Sequence, residues 1–560
     1  MHRVVLVSAR EPLALRLLAC LRERPGLALS GPVHPDVGRA LGDTAELFPG
    51  ADSVVYLPPP QPHHRAGPDL AQARAAFAVF ARVEPKHVVL VSSAEAYGAS
   101  PRNPGLIAEG RTLSRDAKSE VSRSWLELEA SAREQFGAQS GITLTILRPC
   151  PLPVRGRDDY FSRLFTGRVA VTVAGHDPSI QVLAPDDLAS AIALAIERGR
   201  GGTYNVAPDH VIPLRAALSR VQASRLPVPH ELQRYARKLL RELGLGEPEA
   251  IAQVDYLRYS FTVSNHKIKR ELGFVPRYSS VQALDALLAG EVPRSVAVAP
   301  AAAEPQFDDF GMDKDFVERA NRRLFDFLAR DYFRIEVQGL EHVPAHGKGV
   351  LTGVHRGLVA WDGVMIMHLL SQRLHRYPRF LVHPTGFQFP FVFDFTTKLG
   401  GIMACQENAD YVLEREELLG IFPEGLRGVF TLYREAYQLR KFGRHDFVKI
   451  ALRHGAPIIP FVIVGSAETY PIVAKIDWAW WTRKTDWPYF PITPTLFPLF
   501  PAPLPSKWYV RFLPPVDVSQ HPPEAARDAA LVRELSDRVK KQMEDAMADL
   551  ARERKTLFFG

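Results

Sequence analysis

Cysteine is scarce in this chain. Its 560 residues include three, Cys20, Cys150 and Cys405, far apart and with no Cys-x-x-Cys spacing. That excludes a disulfide framework and a cysteine-built metal site, and it suits a reducing compartment. Long apolar runs are lacking as well. No uncharged stretch reaches the roughly 18 residues needed to span a bilayer, so a soluble or peripheral protein is expected. Met1-His2-Arg3-Val4-Val5-Leu6-Val7 enters a strand-like run directly, which argues against a signal peptide. No internal repeat is found. Charge of one sign is only mildly in excess: a net +7 with a pI near 9.2 suits an anionic lipid surface or a phosphate ligand, and is too weak to imply nucleic acid.

With 46% hydrophobic and 23% charged residues the composition is globular, and the length exceeds one ordinary core, so two or more domains are expected. The break falls at residues 291–312, which include Val296-Ala297-Val298-Ala299-Pro300-Ala301-Ala302-Ala303-Glu304-Pro305. An Ala/Pro-rich stretch without helical periodicity reads as a tether. It separates residues 1–290 from residues 313–560.

Within 1–290, the hydrophobic runs Val4–Val7, Ser53–Leu57, His87–Val91 and Ile142–Leu147 alternate with helix-length spans. The alternation predicts an α/β domain with a doubly wound, Rossmann-like sheet. Val88-Val89-Leu90-Val91-Ser92-Ser93-Ala94-Glu95-Ala96-Tyr97-Gly98, Leu147-Arg148-Pro149, Pro185-Asp186-Asp187-Leu188-Ala189 and Arg270-Glu271-Leu272-Gly273-Phe274-Val275-Pro276 carry a resemblance. On them this half resembles the extended short-chain dehydrogenases, the NAD-dependent epimerases and dehydratases. That family's first βα turn needs glycines so that backbone can approach the pyrophosphate. Here the turn reads Ser8-Ala9-Arg10-Glu11-Pro12-Leu13-Ala14, with no glycine. The family's catalytic tyrosine and lysine are missing too: Trp125 and Glu129 fall near where they belong, and Tyr97 with Lys118 lacks the spacing. The expectation is a degenerate domain that keeps the fold without binding NAD(P). An adenine nucleotide of coenzyme A, a partner protein or the second domain are its candidate ligands, and an NAD-dependent epimerase or reductase is the alternative.

Within 313–560 one pattern stands out. Gly349–Gly353 reads as a short buried strand, His355 follows it, and Asp362 opens an apolar helix from Gly363 onward. A histidine on a strand-to-helix turn with a nearby aspartate can serve as an oriented general base. About sixty residues later, Phe422-Pro423-Glu424-Gly425-Leu426-Arg427 places an acid and a base on a second strand-to-loop turn. Together they point to acyl transfer. A free hydroxyl is a poor nucleophile towards a thioester until its proton is removed, and the acceptor is itself the nucleophile, so no protein serine or cysteine need be acylated. Cys405 is read as a packed small hydrophobe.

Four blocks in order carry a second resemblance: His355 to Asp362, Leu399–Ala409, Phe422 to Arg427, and Ala456–Gly465. Residues 313–560 resemble the glycerolipid acyltransferases of the lysophosphatidic acid type. The resemblance implies an O-acyltransferase with His355 and Asp362 catalytic and with Glu424, Gly425 and Arg427 at the acceptor, Arg427 meeting a phosphate. It implies acyl-CoA or acyl-carrier protein as co-substrate, a glycerolipid acceptor, and no bound cofactor or metal. Two departures stand out. Six residues separate His355 from Asp362 where four are familiar, and Leu426 replaces a common threonine. The long spacing matches the branch containing mono- and diacylglycerol acyltransferase-like members, so a neutral glyceride is an alternative acceptor.

Such an enzyme must reach lipid. Trp478, Trp480, Trp481, Trp487 and Trp508 fall in one window with Lys475, Arg483, Lys484, Lys507, Tyr489, Phe490, Phe497 and Phe500. Interleaved aromatic and basic side chains favour a headgroup layer, and the many prolines favour loops. The expected location is cytoplasmic, peripheral to the inner face of a membrane. Phe387–Phe395 reads either as an acyl-chain groove or as core. The stretch Glu524 to Arg554 spaces Val532, Leu535, Val539, Met543, Met547 and Leu550 as one core-packing helix.

Overall fold

The computed structural model describes residues 1–9, 11–33, 48, 50–59, 67–111, 119–137, 140–230, 232, 235, 253–289, 307–387, 389–439, 442, 445–495 and 502–557. The chain forms two compact units, Met1–Gly311 and Met312–Gly560. Of the expected tether, residues 291–306 lie outside the described residues. Residues 307–311 belong to the first unit, and Met312 opens the second.

Among the described residues, the main sheet of the first unit has six strands: β1 (His2–Val7), β2 (Leu27–Val33), β3 (Ser53–Tyr56), β4 (His87–Val91), β5 (Thr143–Pro149) and β6 (Gly202–Val206). They lie in the order β2-β1-β3-β4-β5-β6, every pair parallel. Helices α1 (Pro12–Arg22), α2 (Leu70–Val83), α3 (Glu120–Gln135) and α4 (Pro185–Arg198) connect or flank them. A sheet covered on both faces needs strands that are apolar throughout, and β3 and β4 are buried at every residue. This is a Rossmann-like α/β fold. The four apolar runs of the sequence became β1, β3, β4 and β5. The other two strands carry weaker patterns. Gly31 and Pro32 interrupt β2, which the sheet edge tolerates, and Gly-Thr-Tyr-Asn-Val is short and mixed.

Among the described residues, the main sheet of the second unit has seven strands: β7 (Glu336–Gln338), β8 (Gly349–Thr352), β9 (Arg379–Val382), β10 (Ile402–Met403), β11 (Leu418–Ile421), β12 (Ile458–Val464) and β13 (Tyr509–Phe512). The order is β7-β13-β12-β8-β11-β9-β10, parallel except for the antiparallel pair β12/β13. The helices needed below are α5 (Trp361–Leu374), α6 (Val392–Lys398), α7 (Gln406–Glu414), α8 (Leu426–Val429), α9 (Ala479–Thr485) and α10 (Ala529–Glu553). Leu351, Ile459, Phe461 and Trp508 lie in the core around the central strands. All six apolar positions spaced along 524–554 are buried on α10, whose N-cap Asp528 accepts from the amides of Ala530 and Leu531.

Candidate active site

Strands β8 and β11 are parallel neighbours, with Thr352 opposite Ile421. Parallel neighbours deliver their following loops to the same sheet edge. Residues 353–362 and 422–428, far apart in sequence, therefore meet there. This is where open α/β sheets bind ligands.

The loop after β8 turns through Gly357 and Leu358, both with positive φ (+80° and +53°). Leu358 is a non-glycine residue in a conformation held only when its surroundings over-determine it. At Gly357 an added Cβ would also strike the Ser466 carbonyl. The turn brings His355 back to the first turn of α5, where Asp362 is fully buried. His355 Nδ1 lies 2.7 Å from Asp362 Oδ2. The same oxygen accepts from the Arg356 amide at 2.9 Å, and Oδ1 accepts from the Gly363 amide at 2.8 Å. A carboxylate with these donors is an acceptor only, so His355 Nδ1 carries the proton and Nε2 offers its lone pair. The imidazole packs on Phe422, ring centroids 4.9 Å apart, and Phe422 stacks on Phe380 at 5.4 Å. Its side chain keeps 13% exposure, enough to reach a ligand at the edge.

Beside this pair sits a residue that sequence reading passed over. The Arg356 side chain is buried and pairs with buried Glu424 at 2.6 Å. Its guanidinium also donates to the carbonyls of His355 (2.9 Å), Ala436 (2.9 Å) and Gln438 (3.2 Å). Arg356 thus ties the histidine loop to the second loop and to a third. The one available signal was a charged residue inside an otherwise apolar, glycine-containing stretch. Glu424, read as an acceptor-side residue, is placed facing inward on Arg356. Gly428 lets the two loops close: a Cβ there would stand 2.8 Å from the Glu424 Cβ and 3.2 Å from Arg356 Nη1. Gly425 and Arg427 are both exposed. Arg427 rides on the short helix α8, and among the described residues its guanidinium has no ion pair. The loop therefore splits its charges, one acid spent inside and one base presented outside.

Other residues marked in the sequence fall as follows. Cys405 Sγ accepts the Asn408 amide at 3.4 Å, capping α7, and packs with Phe387, Phe393 and Met403. Phe387 and Phe393 are buried while Phe391 is exposed, so that segment is partly core. Trp508 leaves the expected lipid-facing group: it is fully buried and stacks on Phe333 at 4.4 Å, because it leads directly into β13, inside the sheet. Phe497 and Phe500 lie outside the described residues.

In the first unit a cleft opens over the C-terminal ends of β3, β4 and β5, lined in part by Ser92, Glu95, Trp125 and Arg157. At the turn before α1, Glu11 is buried and its carboxylate meets Arg157 at 3.0 Å. Burial pushes the Glu11 carboxyl up, against the pull of Arg157. Glu129, where the family carries a lysine, is wholly buried and held by Arg148 at 2.6 and 2.7 Å and by Ser92 at 2.8 Å. Burial alone would raise its carboxyl, but the guanidinium holds it low. Trp125 Nε1 donates to Glu95 at 3.3 Å. The Tyr97 hydroxyl donates to Asn205 at 2.7 Å under the Arg148 guanidinium, and Lys118 lies outside the described residues. A pyrophosphate at this helix start would meet side-chain bulk and a carboxylate. The residues present do not fit a dinucleotide.

The Acyltransferase family profile matches residues 334–464, a span that contains His355, Asp362 and the loop from Glu424 to Arg427. The chain belongs to the acyltransferase family. An uncharacterised protein of Mycobacterium tuberculosis strain H37Rv is 36% identical over 259 residues, 45% of this chain and 72% of that protein. One of Mycobacterium leprae is also 36% identical, covering 70% of its length. Phytyl ester synthase 2, chloroplastic, of Arabidopsis thaliana is 28% identical over 144 residues, 24% of this chain and 20% of that protein. Among solved structures, a UDP-glucuronic acid 4-epimerase from Bacillus cereus, in complex with UDP-glucuronic acid and NAD, matches at 14% identity and a TM-score of 0.39. The match covers 51% of this chain and 98% of that one. No described helix is long and apolar enough to cross a membrane.

Proposed function

We propose that the acyltransferase unit moves a fatty acyl group from acyl-CoA or acyl-carrier protein to a glycerolipid hydroxyl, with a 1-acylglycerol 3-phosphate as the acceptor type. The observation that supports this best is the 2.7 Å bond from His355 Nδ1 to buried Asp362, which leaves Nε2 as a base at the sheet edge. In the proposed reaction Nε2 takes the acceptor hydroxyl's proton as its oxygen attacks the thioester carbonyl. Asp362 stabilises the imidazolium so formed. Backbone amides of the glycine-containing turns stabilise the oxyanion. Collapse of the tetrahedral intermediate breaks the C–S bond, and the departing sulfur takes the proton back from His355. Arg427, exposed and, among the described residues, without an ion pair, binds the acceptor phosphate through its planar fork. Glu424 contributes through Arg356, by fixing the loop that carries Arg427.

A second reading, acylation of a neutral alcohol such as a diacylglycerol, is favoured by the long His–Asp spacing and by Leu426. The Arabidopsis relative named for phytyl ester synthesis is in keeping with it. In both readings the first unit performs no nicotinamide chemistry, which the buried Glu11 and Glu129 support. The discriminating experiment compares lysophosphatidate, glycerol 3-phosphate and diacylglycerol as acceptors for wild type and Arg427→Gln. A phosphate acceptor predicts that Arg427→Gln raises KM roughly tenfold or more with kcat little changed. Equal KM values in the two proteins would favour the neutral acceptor.

A further inference from the structure

The acyltransferase unit carries an arm outside its seven-stranded sheet. Two short strands, Ala474–Ile476 and Phe490–Ile492, pair antiparallel and enclose α9. Trp478 and Trp480 stay 47% and 50% exposed, and Val473 and Ile476 beside them are exposed as well. Large apolar side chains clustered on a surface mark a contact site, whereas single ones do not. The cluster is not purely apolar. Lys475, Arg483 and Lys484 are exposed within it, against the acids Asp477 and Asp486. Lys484 Nζ sits 4.8 Å from the Trp480 ring centre, and Lys475 Nζ 5.6 Å from that of Tyr489. Indoles flanked by cations are the chemistry of the headgroup layer, where the ring is half immersed and the ammonium meets phosphate.

The arm is also joined to the candidate acceptor loop. Trp478 stacks on Trp481 at 6.4 Å, Trp481 meets Trp487 at 5.6 Å, and Trp487 meets Phe430 at 5.0 Å. The Tyr489 hydroxyl donates to the Phe430 carbonyl. Phe430 lies three residues beyond Arg427. An unbroken run of rings therefore leads from the exposed tryptophans to the base presented at the sheet edge.

We propose that the arm spanning residues 473–492 docks the protein on an anionic lipid bilayer and sets the acceptor loop at its surface. The inference rests on the glycerolipid reading above, to which it adds the partner and the element that meets it. Burial of Trp478 and Trp480 among headgroups supplies the apolar part of the affinity, and the three cations make it depend on anionic lipid and on salt.

The test uses the full chain and vesicles of phosphatidylcholine with or without phosphatidylglycerol, read by co-sedimentation. Wild type is expected to bind the phosphatidylglycerol vesicles and to be released by high salt. The double variant Trp478→Ala/Trp480→Ala is expected to bind them at least roughly tenfold more weakly. Lys475→Glu/Lys484→Glu, which keeps every tryptophan, is expected to lose mainly the phosphatidylglycerol preference. Acyl transfer to a detergent-dispersed acceptor should persist in both variants while transfer to vesicle-borne acceptor falls. Wild-type binding that is absent, or unchanged in both variants, overturns the proposal. So does a tryptophan-dependent dimer without vesicle binding, which assigns the arm to a second copy. Sedimentation needs no turnover, so an inactive protein that still binds would sink the acyltransfer reading and leave the docking arm standing.

Discussion

The orientation of His355 is set by the carboxylate that faces its Nδ1. Asp362 sits without solvent at the first turn of α5 and accepts three hydrogen bonds, one of them from the imidazole. His355→Ala should therefore lower kcat by about 10²–10⁴ while leaving the fold intact. Asp362→Asn should lower kcat on a similar scale, because an amide can hold the wrong tautomer. Turnover assays together with thermal unfolding separate the two effects: lost activity at unchanged melting temperature is the expected result. This pair was legible in the sequence, since seven residues across a strand-to-helix turn is a local relationship. Arg356 was not legible, because its role depends on a carboxylate 68 residues away, and neither side chain alone shows which way it points. The inward orientation of Glu424 was hidden for the same reason: sequence shows that a carboxylate is present but not whether it faces solvent or a buried guanidinium.

At the scale of elements, the Arg356–Glu424 pair joins the loops after β8 and β11. Removing one partner strands a buried charge, so Glu424→Ala should cost about 3–5 kcal/mol in urea unfolding. Replacing both by apolar residues of similar volume should cost much less, and a double variant as unstable as the single one would count against the account. Gly428→Ala should spread the same loops, because its Cβ meets the Glu424 Cβ and Arg356 from one side. In the first unit, buried His87 at the start of β4 lies 2.8 Å from the Thr145 hydroxyl, and loss of hydration holds its pKa down to about 4. The unfolded chain, with an ordinary value near 6.5, then binds more protons between those limits. Stability should fall as pH drops from about 6.5 to about 4, and His87→Gln should flatten that slope in urea midpoints taken across the range. The central strands could be read in advance because burial on both faces makes them uniformly apolar. Edge strand β2 and short β6 could not, and Trp508 was grouped with exposed tryptophans because composition does not reveal that it leads into β13.

At the scale of the molecule, two α/β units of different fate share one chain. The first keeps a doubly wound sheet and a cleft at the usual edge, yet places Glu11 and Glu129 where a dinucleotide enzyme needs glycine and lysine. Titrating the full chain with NAD⁺ or NADH should give no shift in melting temperature at concentrations that saturate ordinary dehydrogenases; a clear stabilisation would restore the redox reading. The second unit brings four separated sequence blocks to one sheet and two of them to one edge. Its acyltransferase assignment thus rests on topology as well as on motif. The most direct test of that claim incubates the purified chain with labelled acyl-CoA or acyl-carrier protein and a panel of lysophospholipids, glycerol 3-phosphate and diacylglycerol. Wild type is predicted to form a labelled ester with at least one acceptor, and His355→Ala to form almost none. Equal product from the two proteins, or no product from wild type with any donor and acceptor, would contradict it.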